Sequence, residues 1–130
     1  MSSEFAIVMT AFLTGFVLLV VFAGRVANAE NDVRSAAHEA ARSASLTASP
    51  MQAISEAERV VRANLTTSGL SCASGLDVNV EVAEFRPGGW VSVTVACTAP
   101  LSDLATLAVP GRRTFTSTAT EVIDAYRSDP

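Results

Sequence analysis

Residues 5–24 have the sequence FAIVMTAFLTGFVLLVVFAG, an uncharged run of 20 residues in which 16 are Ala, Val, Ile, Leu, Met or Phe. As an α-helix that rises about 1.5 Å per residue, this run spans roughly 30 Å, the thickness of the hydrocarbon core of a bilayer. The sequence therefore predicts a helix that enters a membrane at some stage.

Three interpretations of this segment agree with its hydropathy. A secretory signal peptide could be cleaved after the small residues at 27–29, but the segment lacks a basic n-region and its apolar run is longer than an h-region. A permanent single-span anchor usually carries Lys or Arg beside its cytoplasmic end, whereas only Ser2, Ser3 and Glu4 precede this run. The third interpretation is a processed helix that leaves the membrane and packs against copies of itself in a filament.

The sequence on either side of the apolar run favours the filament interpretation. A short polar start with one acidic residue, Glu4, precedes the run, and residues 25–46 follow it without proline or glycine. Small or β-branched residues recur there at helical spacings, namely Val26, Val33, Ala37, Ala40 and Ala44. We therefore expect one long helix over residues 1–46, apolar in its first half and polar in its second.

Glu4 has two possible roles in such a helix. A carboxylate in the first turn, behind Ser2 or Ser3 as N-cap, interacts favourably with the helix dipole and needs no partner. In a filament core it would be buried among apolar helices, where an unpaired charge is costly. The nearest cation would then be the α-amino group of Met1, from the same copy or a neighbour. The residues expected in the filament core are Phe5, Phe12, Gly15, Phe16 and Phe22.

A second helix is predicted after this segment. Ser49 is a favourable N-cap, Pro50 suits the first helical position, and Gly69 ends the pattern. The apolar residues of this stretch fall on one face, which is typical of an amphipathic helix. They are Ile54, Ala57, Val60, Val61 and Leu65.

The remaining sequence alternates as strands do. Residues 76–85 and 90–97 place apolar side chains at every second position, and Arg-Pro-Gly-Gly at 86–89 is a turn sequence, so together they predict a β-hairpin. A third strand is expected at 113–122, with four threonines on one face, after a crossover at 101–109. The predicted fold is α+β: a long helix, a second helix and a small three-stranded antiparallel sheet, with residues 47–130 as an extracellular head domain.

The two cysteines, Cys72 and Cys97, favour a disulfide. A membrane-directed segment places the head outside the cytoplasm, where disulfides persist, and a small domain with a thin aliphatic core needs such support. Two buried free thiols are the alternative.

The sequence offers little for catalysis. His38 is the only histidine, the cysteines lack metal or redox spacing, and there is no phosphate-binding loop or nucleophile motif. A net charge of −4 is the wrong sign for a nucleic-acid binder. We therefore expect no catalytic residue, no metal, no cofactor and no nucleic-acid partner.

Several segments carry a resemblance to a known family. They are SSEFA at 2–6, RSAAHEAAR at 34–42, PGG at 87–89 with VSV at 91–93, Cys97, PG at 110–111 and IDAYR at 123–127. This pattern resembles the TadE-like pilins of tight-adherence (type IVc) pilus systems in high-GC Gram-positive bacteria.

The resemblance implies a structural subunit of an extracellular surface filament that supports adhesion, with a membrane-inserted precursor. It further implies a prepilin peptidase and a membrane assembly platform as partners in biogenesis. In the filament it implies copies of the chain, with or without other pilins, as partners. Glu4 would correspond to the acidic residue that pairs with a subunit N-terminus. A membrane-anchored envelope protein that forms no filament is the alternative.

Overall fold

The computed structural model describes residues 2–105 and 109–126. Within these ranges the chain forms α1 (Ser2–Ser45), α2 (Pro50–Ser68), β1 (Gly75–Glu81), β2 (Trp90–Pro100), α3 (Leu101–Leu104) and β3 (Arg112–Val122). The α+β fold expected from the sequence is confirmed. The short α3 is the helical turn expected in the crossover, of which residues 106–108 lie outside the described ranges.

The first helix is continuous, because nothing after Gly24 interrupts its backbone hydrogen bonds. Its second half buries one face against the rest of the chain, and most residues of that face are alanines. The buried hydrophobic residues of this face are Ala29, Val33, Ala36, Ala37, Ala40, Ala41 and Ala44. Their small side chains allow α2 and the sheet to approach the α1 backbone closely.

The ends of α2 are as predicted. The Ser49 hydroxyl accepts a hydrogen bond from the Gln52 backbone N–H at 3.3 Å, and Pro50 occupies the first turn. Gly69 adopts a φ of 78°, a left-handed conformation that favours glycine, and its N–H donates to the Thr66 carbonyl at 3.2 Å. Of the apolar residues expected on one face, Ile54 is half-buried and the other four are buried; Ala53, which the prediction did not include, is also fully buried.

The sheet has the order β1-β2-β3, and both pairings are antiparallel. The central strand β2 alternates as expected, with Val91, Val93, Val95 and Cys97 buried beneath the helices. The threonines of β3 share the outer face, where Thr118 and Thr94 are joined by a hydroxyl hydrogen bond of 2.9 Å. This face is polar because only the opposite face is covered by helices.

The first strand ends at Glu81, earlier than the predicted residue 85. If the alternation continued, Phe85 would point to the outer face together with the other odd-numbered residues. Instead the chain turns after Val82, and the Phe85 N–H donates to the Val82 carbonyl at 3.1 Å. The turn brings Phe85 into the core, where it is only 8% exposed. Burial of this aromatic ring explains why the strand stops.

Helices and sheet form two layers with one core between them. The helix α1 lies over β2 and β3, and α2 lies over the side of β1. Since residues of α1 from Ala29 onward are part of this core, the head depends on the long helix. A domain division at residue 46 stays a prediction.

Cys72 and Cys97 are joined by the predicted disulfide, with Cα atoms 5.2 Å apart. It ties the loop after α2 to the centre of the sheet, since Cys97 faces Leu76 across the β1–β2 ladder. We expect the Cys72→Ala/Cys97→Ala variant to lose roughly 3 to 4 kcal/mol of stability, from the added freedom of the unfolded loop. Urea unfolding of the full chain in nonionic micelles, followed by the fluorescence of the single tryptophan, Trp90, measures this loss; an unchanged midpoint would contradict it.

Gly89 lies at a close approach between its own backbone and that of Glu84. A Cβ at this position would lie 1.9 Å from the Glu84 carbonyl oxygen, which already accepts a hydrogen bond from Trp90 N–H. We expect Gly89→Ala to destabilise the head by about 3 kcal/mol or more, because backbone atoms must move. The same urea assay tests it.

The matched control for Gly89 is Gly24→Ala. Nothing lies within 4 Å of a Cβ at Gly24, so this substitution should leave head stability unchanged or slightly increased. Equal midpoints for the two variants would show that the turn does not constrain the chain as described.

Candidate functional site

The first half of α1 is the most unusual surface of the chain. Its large apolar residues project into open space, with Phe5 and Phe12 each 67% exposed and Phe16 57% exposed. The most apolar 18-residue window of α1 has a mean hydropathy of 2.6, and none of it is buried. By length and composition α1 could cross a membrane. A soluble monomer rarely exposes so large an apolar surface, so this half of α1 needs lipid or another protein around it.

The candidate core residues lie on one broad side of the helix. Phe5, Phe12 and Phe16 are seven and four positions apart, so they lie on the same side. Gly15 lies three positions after Phe12 and borders the same side, and a Cβ there would have nothing within 4 Å. Ile7, Val17 and Val21 lie on the opposite side and are also exposed. An apolar surface all round the helix fits a helix that is surrounded by lipid or by several neighbours.

Phe22 differs from the other aromatic residues of this segment. It is half-buried and packs against the head core, as does Val26 one turn later. The freely exposed part of α1 therefore ends near Val21, and the head begins before the apolar run is complete. There is no linker between the two, because both belong to the same helix.

Glu4 lies in the first turn of α1 and is exposed. This position agrees with a favourable interaction with the helix dipole. Met1, the predicted partner of Glu4 in a filament, lies outside the described residues. The pairing of Glu4 with an α-amino group stays a prediction.

The described residues show no group of three His, Cys, Asp or Glu side chains that could hold a metal ion. His38 is exposed on α1, and both cysteines are in the disulfide. Glu30 of α1 and Arg113 of β3 form an exposed ion pair of 3.0 Å, which joins the two layers at the sheet end nearest the apolar segment.

Sequence reasoning missed a cavity at the junction of α1, α2 and α3. It has a volume of about 590 Å³ and is lined by Arg25, Asn28 and Asp32 of α1 and by Asp103 of α3, together with residues at the end of α2. The three α1 residues share a helix face, so their spacing in the sequence could have indicated a polar patch on α1. The contribution of α3 depends on where the crossover predicted at residues 101–109 packs in three dimensions, which the sequence pattern does not determine.

Comparison with known proteins gives one match. Residues 1–42 match the family model described as TadE-like protein. No curated protein and no solved structure matches the chain. The match covers the apolar segment and most of the polar half of α1, so the N-terminal part of the chain is similar to TadE-like proteins, and the resemblance to that family found in the sequence is confirmed over these residues.

The different burial of Phe22 and Phe16 gives a direct test of where the head begins. Phe22→Ala should lower the stability of the head by about 1 to 2 kcal/mol, a fraction of the cost at a fully buried site. Phe16→Ala, which removes an equally large but exposed ring, should leave the urea midpoint in micelles unchanged. The boundary would be wrong if both variants behaved alike.

Proposed function

We propose that this chain, with its TadE-like N-terminal segment, is a structural pilin subunit of a bacterial surface filament of the type IV, tight-adherence class. The observation that carries the proposal is the uncovered apolar half of α1, held in line with the head by an unbroken helix. The role is assembly, and we propose no enzymatic activity for the chain.

The exposed half of α1 is suited to two environments in succession. In a bilayer its length matches the hydrocarbon core, so a membrane-inserted precursor is stable. Lipid is as apolar as the helix, so filament formation must gain its energy from close packing between helices. Phe5, Phe12 and Phe16 would supply contact area, while Gly15 and the nearby threonines allow close approach.

Glu4 would select the position of each incoming copy. A carboxylate among packed apolar helices is costly without a cation, and the α-amino group of a subunit N-terminus would supply one. This requirement disfavours registers in which Glu4 has no partner. Processing by a prepilin peptidase and extraction by an assembly platform complete the proposed biogenesis.

The head would face outward and support adhesion. Its outer sheet face is polar and rich in hydroxyl groups, and Thr98 and Thr114 form a second hydrogen-bonded pair at 2.8 Å. Trp90 lies on the same face at the far end of β2. These exposed groups support contact with surfaces or other subunits, and the disulfide would keep the head folded outside the cell.

The alternative is a single-span envelope protein that stays in the membrane. Sheared surface material separates the two: a pilin should be recovered in filaments by electron microscopy, with the N-terminal peptide of this chain detected by mass spectrometry. If the chain stays entirely with the membrane fraction of piliated cells, the anchor is correct.

Glu4→Gln provides a more specific test. We expect it to leave membrane insertion intact but to reduce the amount of chain in sheared filaments by about tenfold or more, since the charge-assisted pair is lost. Glu39→Gln, which removes an exposed acid in the polar half of α1, should assemble normally. Normal incorporation of the Glu4 variant would leave capping of the helix as the role of Glu4.

A further inference from the structure

The strand β3 forms one edge of the sheet, and its outer side pairs with no strand of the described residues. Its ladder with β2 is regular, one residue opposite one residue, over residues 112–122. At the two ends of the ladder the Gly111 carbonyl accepts from Leu101 N–H at 3.0 Å, and Ile123 N–H donates to the Gly89 carbonyl at 2.9 Å. Since hydrogen-bonding direction alternates along a strand, the odd-numbered residues of β3 bond to β2. The even-numbered residues therefore point their N–H and C=O groups to the open edge.

This open edge of β3 has little of the usual protection against pairing. Native sheets protect their edges with proline, bulges, short strands or charged side chains. β3 is 11 residues long, contains no proline, and pairs with β2 without a bulge. Only one of its six edge-directed residues is charged, and all six are exposed. They are Arg112, Thr114, Thr116, Thr118, Thr120 and Val122. The edge can therefore accept another strand.

The sequence of β3 is complementary to itself when two copies run antiparallel. A two-fold axis at Ser117, the central residue, pairs all 11 residues of one copy with those of a second. Even-numbered residues then face even-numbered residues, so the open N–H and C=O groups gain partners. Arg113 of each copy lies opposite Glu121 of the other, in a pair without backbone hydrogen bonds, where side chains are closest. A shift by two residues places Ala119 or Ile123 opposite Arg113 instead and shortens the ladder.

A groove of about 300 Å³ lies beside this edge, between α1 and the first half of β3. The guanidinium groups of Arg34 and Arg113 and the carboxylate of Glu30 line it. Arg113 forms an exposed ion pair with Glu30, whereas Arg34 takes part in none of the ion pairs of the described residues. In the antiparallel register, the side chains of the second copy that arrive along this groove are two small ones and one carboxylate. They are Ser117, Ala119 and Glu121. The groove thus complements the second copy in size and charge.

We propose that β3 binds β3 of a second copy of this chain, antiparallel about Ser117, and that the two sheets become one sheet of six strands. Two Arg113–Glu121 pairs lie on its helix-covered face, and threonines face each other on its outer face. Opposite charges and threonine pairs across neighbouring strands stabilise such a ladder. This interface goes beyond the proposed function, which concerns the apolar half of α1.

The pairing fixes the relative direction of the two long helices. α1 runs in the same direction as β3, because Glu30 contacts Arg113 near the start of the strand and Arg42 lies beside Glu121 near its end. Antiparallel strands therefore make the two α1 helices antiparallel, with their apolar halves at opposite ends of the joined sheet. Two copies inserted in one bilayer with the same orientation cannot meet in this way. The pair joins copies from separate membranes or filaments; only the statement about filaments rests on the proposed function.

Exchange of the two charges tests the register. Full chains are kept in nonionic micelles, with micelles in excess so that each chain occupies its own, and native mass spectrometry counts the chains that stay together. We expect dimers of the unmodified chain. Arg113→Glu and Glu121→Arg should each weaken the dimer about tenfold or more, because the two-fold axis places like charges opposite each other twice.

An equimolar mixture of these two variants, one with a heavy-isotope label, should form mixed dimers as abundant as those of the unmodified chain. Both cross-strand pairs are then opposite in charge. The mixed dimer decides the test, since Arg113→Glu by itself also removes the contact with Glu30. An unmodified chain that is monomeric, or variants that pair with each other no better than with themselves, overturns the proposal.

Thr116→Pro tests the backbone contribution. It removes an N–H that points to the open edge, where sheets tolerate proline, so the head should stay folded by the urea assay. We expect the dimer to be lost. Thr116→Val keeps this N–H and is the matched control, which should dimerise like the unmodified chain. If a folded Thr116→Pro chain still forms dimers, the interface is not the β3 edge.

Sheared filaments distinguish failure of this inference from failure of the proposed function. A chain that forms the β3 dimer in micelles but is absent from filaments retains the interface and refutes the pilin function. A chain that is present in filaments, but whose two charge variants do not pair with each other, refutes the interface alone.

Discussion

The backbone hydrogen bonds of α1 run without interruption through 44 residues, and both halves of the molecule depend on this continuity. At about 1.5 Å per residue the helix is roughly 66 Å long. One face of its second half is buried beneath α2 and the sheet, and Phe22 and Val26 pack against the edge of that core. Because no flexible joint separates the halves, the orientation of the head follows directly from the orientation of the apolar segment.

The head can hold α1 firmly because their contact is built from small side chains. Ala36, Ala40 and Ala53 are completely buried, and such residues allow helix backbones to approach closely with little loss of side-chain entropy. Alanine contributes little apolar area, however, so this core gains less from burial than one built from leucine or phenylalanine. The disulfide between Cys72 and Cys97 compensates by restricting the unfolded chain.

The meeting point of the two halves is chemically distinct from either. Apolar contacts of Phe22 and Val26 lie beside Arg25 along the helix, near the level at which a bilayer surface would meet the apolar run. A subunit that moves from membrane to filament must exchange lipid for protein along its apolar helix.

Periodicity in the sequence determined most of the elements. Hydropathy placed the long helix, Ser49 and Gly69 marked the ends of α2, and alternation identified the three strands, because these signals depend on neighbours in sequence. The disulfide followed from a count of two cysteines and an extracellular setting. The sequence also predicted that Phe5, Phe12 and Phe16 lie on the same side of α1, since residues four and seven positions apart share one side of a helix.

Only the tertiary structure decided which residues lie at the margins of packing. Phe85 departs from the strand pattern and is buried in the core. Ala53 is fully buried whereas Ile54 is only half-buried. Phe22 packs against the head core although its immediate sequence neighbours are exposed. The cavity with Arg25 and Asp103 depends on where the crossover returns to α1. Each of these outcomes results from contacts between residues distant in sequence, which local periodicity does not encode.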